Sequence, residues 1–300
     1  MTTPHLVVER VGFTTVQDAG RPGWAHLGVP RSGAADRASS SLANRLLGNQ
    51  PSAALFETSG GLRVRLHAPT TVVLTGADTE AYVDDRPLAS CRPQRSAEGS
   101  VVRIERIRSG VRSYLAFTGG LSGQPLLGSL SHDTLSKIVP IGLYDGATIN
   151  LGAMFDRSST DDAARGARGI DVAPISLDTP LHPTALTNVR LSPGPHESWF
   201  DSEVLTSRDA RWMVTTQSDR IAVRLSGHAV PRRRKGEVPS LALVRGAVQV
   251  PPSGELIVML ADHPTTGGYP IIGVMQPDDV DRLAQTPPDS AVRVQLQGKT

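Results

Sequence analysis

Residues 62–68 read LRVRLHA, and this stretch decides the fold class. Leu62, Val64 and Leu66 alternate with polar residues, so an extended backbone would place all three on one face. This period of two predicts a half-buried β-strand and not a helix. The stretch is the clearest example of a pattern that recurs along the chain.

Short runs of strand-forming residues follow one another from the N-terminus to the C-terminus. Gly, Pro and Asp separate them at intervals that are typical of antiparallel barrels or sandwiches. The predicted strands cover residues 6–11, 62–68, 71–77, 101–107, 113–119, 147–152, 189–194, 211–216, 221–227, 242–250, 255–260, 269–275 and 291–296. Strands do not alternate with long helices, so a doubly wound parallel sheet is not expected.

Two segments have helical spacing instead. In residues 34–49, leucines recur at helical intervals, Asp36 stands near the start and Gly48 follows the last apolar residue. Residues 277–288 begin with Pro277, which favours the first turn of a helix. We therefore predict a mainly β fold with a few short helices.

Residues 153–182 interrupt the strand pattern. They contain few strand formers and many Ser, Asp, Ala and Pro residues, a composition typical of linkers. We predict a first domain over residues 1–152, a linker over 153–182 and a second domain over 183–300. The first strand could still cross over to complete the second sheet.

The composition excludes several classes of protein. Among the 300 residues, 31 Lys and Arg balance 29 Asp and Glu, so nothing favours a nucleic-acid binder. Cys91 is the single cysteine, which excludes an internal disulfide and a cysteine-based zinc site and suits a reducing compartment. The longest apolar run, residues 256–261, is far shorter than the ~20 residues of a membrane span. We expect a cytoplasmic protein without a secretory signal or membrane contact.

Common catalytic motifs are absent from the sequence. It contains no P-loop, no Rossmann fingerprint, no H-E-x-x-H and no G-x-S-x-G. Glycine and polar residues concentrate instead in residues 14–49, 74–78, 118–136 and 260–275. Glycine lets backbone N–H groups approach a ligand closely, so these segments are candidates for a binding site.

Each of these segments also has a structural interpretation. In residues 14–49, Asp18 can pair with Arg21 and Asp36 can cap a helix. A plain β-turn is favoured for residues 74–78 and a capped turn for residues 118–136. For residues 14–49 and 260–275 both interpretations stay open, and the basic run RRRKG at 232–236 is interpreted as a solvated loop.

Nine segments have unusual sequences and follow one another in a fixed order. They are TTVQDAGRPGWAHLGVPRSGAADRASSSLANRLLGN (14–49), ALFETSGG (54–61), LTGAD (74–78), YLAFTGGL (114–121), LLGSLSHDTLS (126–136), LSPGPHESWF (191–200), SDRIAVRLSG (218–227), GAVQVPPSGELIVMLADHPTTGGYP (246–270) and DDVDRLAQ (278–285). Together they resemble the KipA-like family, which forms the second component of the urea amidolyase and biotin-dependent carboxyltransferase group. This family includes the C subunit of bacterial ATP-dependent 5-oxoprolinase.

The resemblance implies a fold and a function. It implies two tandem cyclophilin-like β-barrel domains that work beside a KipI-like B subunit, with a LamB-like A subunit as a further partner. The implied reaction opens the lactam of 5-oxo-L-proline to give L-glutamate, with ATP and magnesium held by the complex. The substrate class is a small amide, and no nucleic acid or membrane is involved.

The resemblance also implies a cleft shared by two groups of residues. The first group is Arg21, Asp36, Asn44 and Glu57, and the second is Asp262, Thr265, Thr266, Gly267, Gly268 and Tyr269. Of these, Asp36, Glu57 and Asp262 are the catalytic candidates, and the others are candidates for binding substrate or nucleotide. Whether Asp36 or Asp262 acts as a general base or as a metal ligand stays open, and no metal site is assigned.

Two other functions stay open. The chain could be the carboxyltransferase component of a biotin-dependent urea or amide carboxylase, of the allophanate hydrolase subunit 2 type, with biotin on a separate carrier. It could also be a regulator that binds a KipI-like partner without turnover. The sequence departs from the family pattern at Leu130, at Pro264 and over residues 137–145, which bears on the details of substrate binding.

Overall fold

The structure is a computed structural model, which describes residues 3–152 and 186–297 apart from residues 206, 208, 235 and 237. Strands dominate these residues, and they assemble into one large open sheet and one closed barrel. The predicted mainly β class is confirmed. The predicted linker, residues 153–182, lies outside the described residues, so the proposed domain boundaries stay a prediction.

The first sheet contains ten strands and has the form of a half-barrel. Its strands are β1 (His5–Arg10), β2 (Thr14–Gln17), β3 (Leu55–Thr58), β4 (Leu62–Leu66), β5 (Thr70–Val83), β6 (Arg86–Pro87), β7 (Gln94–Ser96), β8 (Val101–Phe117), β9 (Leu121–Ser122) and β10 (Thr148–Leu151). The hydrogen-bonded order is β2-β3-β8-β4-β1-β10-β9, and β5 pairs with β6, β7 and β8.

Strand β4 uses the period of two as predicted. Its three apolar residues are buried in the core of the first sheet. On the opposite face Arg63 and Arg65 both pair with the carboxylate of Glu9 on β1. Phe56 and Phe117 pack edge to face deeper in the same core, with their ring centroids 5.9 Å apart.

The second sheet closes into a seven-stranded barrel. The strands of this half are β11 (Leu186–Pro193), β12 (Trp212–Val214), β13 (Ala222–Gly227), β14 (Leu241–Ala242), β15 (Ala247–Gln249), β16 (Leu256–Met259), β17 (Thr266–Gly267), β18 (Ile271–Met275) and β19 (Ala291–Leu296). The barrel order is β11-β18-β15-β16-β13-β12-β19, while β14 and β17 form a separate pair. β11 and β19 run parallel and complete the ring.

Two α-helices occur among the described residues, α1 (Arg37–Leu46) and α2 (Pro277–Ala284), and both match the sequence prediction. The described part of the chain also contains three short 3-10 helices, at Ala25–Leu27, Glu197–Trp199 and Ser202–Leu205. Within the described part of the chain, no helix is long and apolar enough to cross a membrane.

The two helices meet at the junction of the sheets. The side chain of Asp36 accepts the backbone N–H of Ser39 at 3.0 Å and caps α1, as predicted. Asp281 of α2 accepts the N–H groups of Arg37 at 3.0 Å and Ala38 at 3.2 Å. The first turn of a helix leaves its N–H groups without partners inside the helix. Here residues from both halves of the chain satisfy them, so α1 is anchored to the second half.

The prediction of separate strands over residues 101–107 and 113–119 is wrong, because β8 is continuous through both. Gly110 adopts φ +94° in the middle of β8. The pairing of β5 with β8 shifts register on either side of Asp78. Irregularities of this kind bend a strand without ending it, so β5 and β8 curve together around the core.

Three other local predictions need correction. The β-turn favoured for residues 74–78 is wrong, because these residues continue strand β5. Residues 242–250 form two strands, because a turn at Gly246, with φ +87°, separates β14 from β15. Residues 14–17, at the start of the first glycine-rich segment, are missing from the predicted strands, but Thr14–Gln17 pairs with β3 as strand β2. Because a glycine-rich stretch follows directly, the alternation of residues in this four-residue strand is difficult to recognise in the sequence.

The barrel core supports a prediction about stability. Leu225 is fully buried, whereas Leu126 is 48% exposed in a loop. We expect Leu225→Ala to lower the free energy of unfolding by about 2–5 kcal/mol, because it removes apolar contacts and leaves a cavity. The same substitution at Leu126 should change it by less than about 0.5 kcal/mol. Urea denaturation monitored by tryptophan fluorescence measures both, and equal effects would contradict the barrel core described here.

Candidate active site

A cavity of about 370 Å³, called the cleft below, lies at the junction of the two sheets. Residues from both halves of the chain line it, namely Phe13, Thr15, Glu57, Thr58, Ser59, Arg112, Thr134, Lys137, Asp219, Arg220 and Ile221. Hydroxyl groups, charges and two apolar side chains therefore face one small space. This mixture suits a small polar molecule better than an apolar one.

Arg220 lines the cleft and is buried in its wall. Its Nε and Nη2 donate to the two carboxylate oxygens of Asp262 at 3.0 and 3.1 Å. Its Nη1 donates to Glu57 Oε1, and its Nη2 also donates to the carbonyl of Gly33 at 2.6 Å. One guanidinium thus connects strand β3, the loop before α1 and the segment after β16.

Burial makes this arrangement energetically demanding. Burial alone would lower the pKa of Arg220, but the charges of Glu57 and Asp262 and their hydrogen bonds raise it above its ordinary value. Burial alone would raise the pKa of Asp262, but Arg220 and the hydrogen bonds from Thr134 hold it below its ordinary value. Arg220 and Asp262 are therefore both charged at neutral pH, and each depends on the other.

Further contacts fix the two carboxylates. Thr134 donates to Asp262 Oδ2 from its backbone N at 3.0 Å and from its hydroxyl at 2.7 Å. The N–H of Ala35 donates to Glu57 Oε2 at 2.8 Å, and Arg112 Nε lies 3.6 Å from Glu57 Oε1. The orientation of both carboxylates is consequently set before any ligand binds.

The donor set near the cleft does not fit a magnesium ion held by this chain. Among the described residues, no group of three or more His, Cys, Asp or Glu side chains could hold a metal. The carboxylates of Glu57 and Asp262 are both bound to Arg220. A cation at this position would have to compete with a buried guanidinium, so we assign no metal ligand here.

Comparison with known proteins identifies the family. A family model described as the carboxyltransferase domain, subdomain A and B, matches residues 27–296. The chain belongs to the carboxyltransferase domain family. This membership confirms the resemblance inferred from the nine sequence segments.

Two bacterial proteins are similar to this chain over most of its length. The chain is 34% identical over 288 residues to the C subunit of 5-oxoprolinase from Escherichia coli, covering 94% of this chain and 88% of the relative. It is 30% identical to the protein of the same name from Haemophilus influenzae, covering 93% of this chain and 86% of the relative. It is also 28% identical to the urea amidolyase of Saccharomyces cerevisiae, of which it covers 16%.

Solved structures share the fold. The crystal structure of a protein designated TTHA0988 superposes with a TM-score of 0.82 at 31% identity, over 99% of this chain and 56% of that chain. The chain thus spans little more than half of that protein. The urea amidolyase of K. lactis superposes with a TM-score of 0.83 at 24% identity, over 98% of this chain and 19% of that chain, which supports the fold alone.

The structure brings two of the predicted catalytic residues together. Glu57 and Asp262 contact the same guanidinium, and Glu57 also lines the cleft.

Arg21 lies near them but is buried, and its Nη2 donates to the carbonyl of Ser131. Burial lowers the pKa of Arg21. The carboxylate of Asp18 accepts hydrogen bonds from residues 129–131, and the ion pair with Arg21 that the structural interpretation of this segment offered is not formed.

Asp36 and Asn44 have structural partners. Besides capping α1, Asp36 accepts a hydrogen bond from Gln285 Nε2 at 2.9 Å. Burial, and then the charge of Asp281, raise the pKa of Asp36. Asn44 is buried and donates to the carbonyl of Ala53 at 2.8 Å. Neither side chain is among those that line the cleft, so their predicted roles in catalysis and binding are not supported by position.

The predicted turn after Asp262 lies outside the cleft lining as well. The carbonyl of Thr265 accepts the N–H of Leu243 at 2.9 Å, and Thr266 and Gly267 form the small ladder between β14 and β17. Gly268 and Tyr269 are exposed. This turn therefore contributes to the small two-stranded sheet of β14 and β17, and Asp262 alone of the segment contacts Arg220.

Sequence reasoning missed the residue on which the site depends. Arg220 lies in the segment SDRIAVRLSG, which carries the family resemblance but suggests no role for this arginine. Arg112 and Lys137 also line the cleft without having been predicted. A basic residue directly before a buried strand was the available signal for Arg220.

The Arg220 network yields a prediction about pH. Replacing Arg220 with Met leaves the buried carboxylates of Glu57 and Asp262 without their common partner. We expect this substitution to destabilise the protein at pH 7 by about 3–5 kcal/mol. The pKa of Asp262 is lowered in the native protein, so its stabilising contribution exists at neutral pH and is lost as pH falls below about 4. The difference in the free energy of unfolding between wild type and variant should therefore become smaller in acid.

Urea denaturation at a series of pH values from 7 down to about 2, well below the unfolded pKa of an aspartate, measures this difference in stability. The matched control is Arg233→Met, because Arg233 forms an exposed ion pair with Asp201. An exposed pair contributes about 0–1 kcal/mol, so the control should lose little stability at either pH. A gap for Arg220→Met that stays constant with pH would contradict the proposed charge pairing.

Proposed function

We propose that this chain is the C subunit of an ATP-dependent 5-oxoprolinase. In this proposal it works with a KipI-like B subunit and a LamB-like A subunit in the cytoplasm and opens 5-oxo-L-proline to L-glutamate. The observation that carries the proposal is the 34% identity to the Escherichia coli protein of that name over 94% of the chain. A match of this length spans both sheets, which together build the cleft.

The chemistry of the cleft supports this assignment. The substrate is a small molecule with one carboxylate and one lactam amide. The cleft offers Lys137 for the carboxylate, hydroxyl groups for the polar atoms of the ring, and Phe13 for its methylene groups. Its volume of about 370 Å³ suits a ligand of this size.

Opening the lactam breaks the ring C–N bond, adds the oxygen of a water molecule to the carbonyl carbon and returns a proton to the nitrogen. We assign the removal of the water proton to Glu57, because its carboxylate is oriented by Ala35 and Arg220 and lines the cleft. Asp262 acts as a positioning residue, since it holds Arg220 in place without lining the cleft.

We place ATP and magnesium elsewhere in the complex. The described residues of this chain offer no metal-binding cluster, and the carboxylates of Glu57 and Asp262 already pair with Arg220. Nucleotide chemistry would make the lactam carbonyl a better electrophile. The contribution of this chain is to bind the substrate, to orient it and to hold a base next to it.

A second candidate is the carboxyltransferase step of a biotin-dependent urea or amide carboxylase. The relative named urea amidolyase in Saccharomyces cerevisiae favours it, at 28% identity over 93% of this chain. A biotinylated carrier is then required, and avidin would block the reaction. The two functions differ in substrate charge, since urea is neutral and 5-oxoproline is an anion.

Reconstitution tests the proposal directly. The chain should be purified with its B and A partners and supplied with ATP and 5-oxo-L-proline. We expect glutamate to form together with ADP, and to require all three proteins. Glutamate at background level would overturn the proposal, and avidin-sensitive carboxylation of urea by the same chain would establish the second candidate.

Within the reconstituted complex, we expect Glu57→Gln to lower kcat by about 10²–10⁴, because the substitution removes the proton acceptor while keeping the shape. Glu98→Gln is the matched control, since Glu98 is exposed and distant in sequence from every lining residue. Its kcat should equal that of the wild type. A Glu57→Gln complex with wild-type kcat would remove Glu57 from the mechanism.

A further inference from the structure

Every charged residue that lines the cleft, with one exception, is engaged by the protein itself. Arg220 binds Glu57 and Asp262. Arg112 donates to the carbonyl groups of Ala284 and Asp219. The side chain of Asp219 accepts the N–H groups of the two residues that follow Arg220, at 2.7 and 3.0 Å.

The exception is Lys137. It lines the cleft and is solvent-exposed, and no hydrogen bond or ion pair joins its ammonium group to another of the described residues. Glu57, Arg112, Asp219 and Arg220 each contact other groups of the cleft wall, and none of them pairs with Lys137. Within the described cleft lining, Lys137 is thus the cation that is available to a ligand.

The backbone holds Lys137 in a fixed and unusual place. Its φ is +60°, a left-handed conformation that non-glycine residues seldom adopt and that costs free energy. Asp133 fixes the surrounding loop, since its N–H donates to the carbonyl of Ile138 at 2.9 Å and its side chain accepts the hydroxyl of Ser136 at 2.6 Å. Thr134 ties the same loop to Asp262 across the junction.

The surroundings of Lys137 suit a small organic anion. Phe13 lines the cleft with 81% of its surface exposed, and Ile221 supplies a second apolar contact. The hydroxyl of Thr15 accepts a hydrogen bond from Gln17 at 3.0 Å, which leaves its own proton free to donate. A carboxylate on an apolar ring would satisfy the ammonium group while the ring covers Phe13.

We propose that Lys137 is the specificity-determining residue of the cleft and selects amide substrates that carry a carboxylate over neutral ones. This inference rests on the proposed function and names the part of the substrate that the cleft recognises. A neutral amide such as urea would leave the ammonium group without a counter-charge, so it gains nothing from this residue. Lys137 binds substrate and takes no part in bond breaking.

Calorimetric titration of the full chain, alone and in complex with its B and A partners, tests the inference without turnover if ATP is omitted. The probes are 5-oxo-L-proline and 2-pyrrolidinone, its neutral analogue without the carboxylate. We expect Lys137→Gln to weaken binding of 5-oxo-L-proline at least about tenfold and to leave that of 2-pyrrolidinone unchanged. Lys137→Arg should restore most of the affinity, and Arg86→Gln, at an exposed arginine outside the cleft, should have no effect.

The possible failures are distinguishable. If Lys137→Gln binds 5-oxo-L-proline as tightly as the wild type, the inference is wrong and the proposed function stands. If Lys137→Gln weakens the binding of both probes equally, Lys137 shapes the cleft and does not recognise the carboxylate. This result would also overturn the inference. If the wild-type complex binds no 5-oxo-L-proline and forms no glutamate, the proposed function and the inference fall together.

Discussion

The contact between Arg220 and two buried carboxylates is the constraint on which the junction of the two sheets depends. Glu57 comes from the first sheet, whereas Arg220 and Asp262 come from the second half of the chain. A buried charge without a partner is strongly destabilising, so none of the three can be buried alone. Their burial therefore requires the two halves to meet in one relative position, and that position creates the cleft.

A second set of contacts reinforces the same position. Gln285, just after α2, accepts the N–H groups of Val111 and Arg112 at 3.1 and 3.0 Å and donates to Asp36. Asp281 accepts the first N–H groups of α1 and pairs with Arg245 at 2.5 Å. These contacts join the two halves of the chain beside the cleft, so the orientation of Glu57 does not depend on the ligand. Groups that are oriented in advance do not have to be reorganised, at a cost in free energy, when the reaction occurs.

Much of the fold could be predicted from the sequence, because a period of two and helix capping are local signals. The alternation in residues 62–68, the Asp36 cap of α1 and Pro277 in the first turn of α2 depend only on neighbouring residues. The continuity of β8 through Gly110 could not be predicted locally, since it depends on the opposing strand β5.

The site was predictable only in part for a similar reason. Glu57 and Asp262 stand in recognised segments, but Asp36 and Asn44 are polar residues of those same segments with structural partners, and Arg220 acquires its role only through contacts distant in sequence.

The coupling of Glu57 and Asp262 through Arg220 can be measured by a double-mutant cycle. The free energy of unfolding is determined by urea denaturation at pH 7 for Glu57→Gln, Asp262→Asn, the double variant and the wild type. Either single variant leaves Arg220 with one carboxylate, whereas the double variant leaves a buried cation with none. We predict that the double variant loses at least about 1 kcal/mol more than the sum of the single variants. Additivity within about 0.5 kcal/mol would contradict the claim that one guanidinium joins the two halves of the chain.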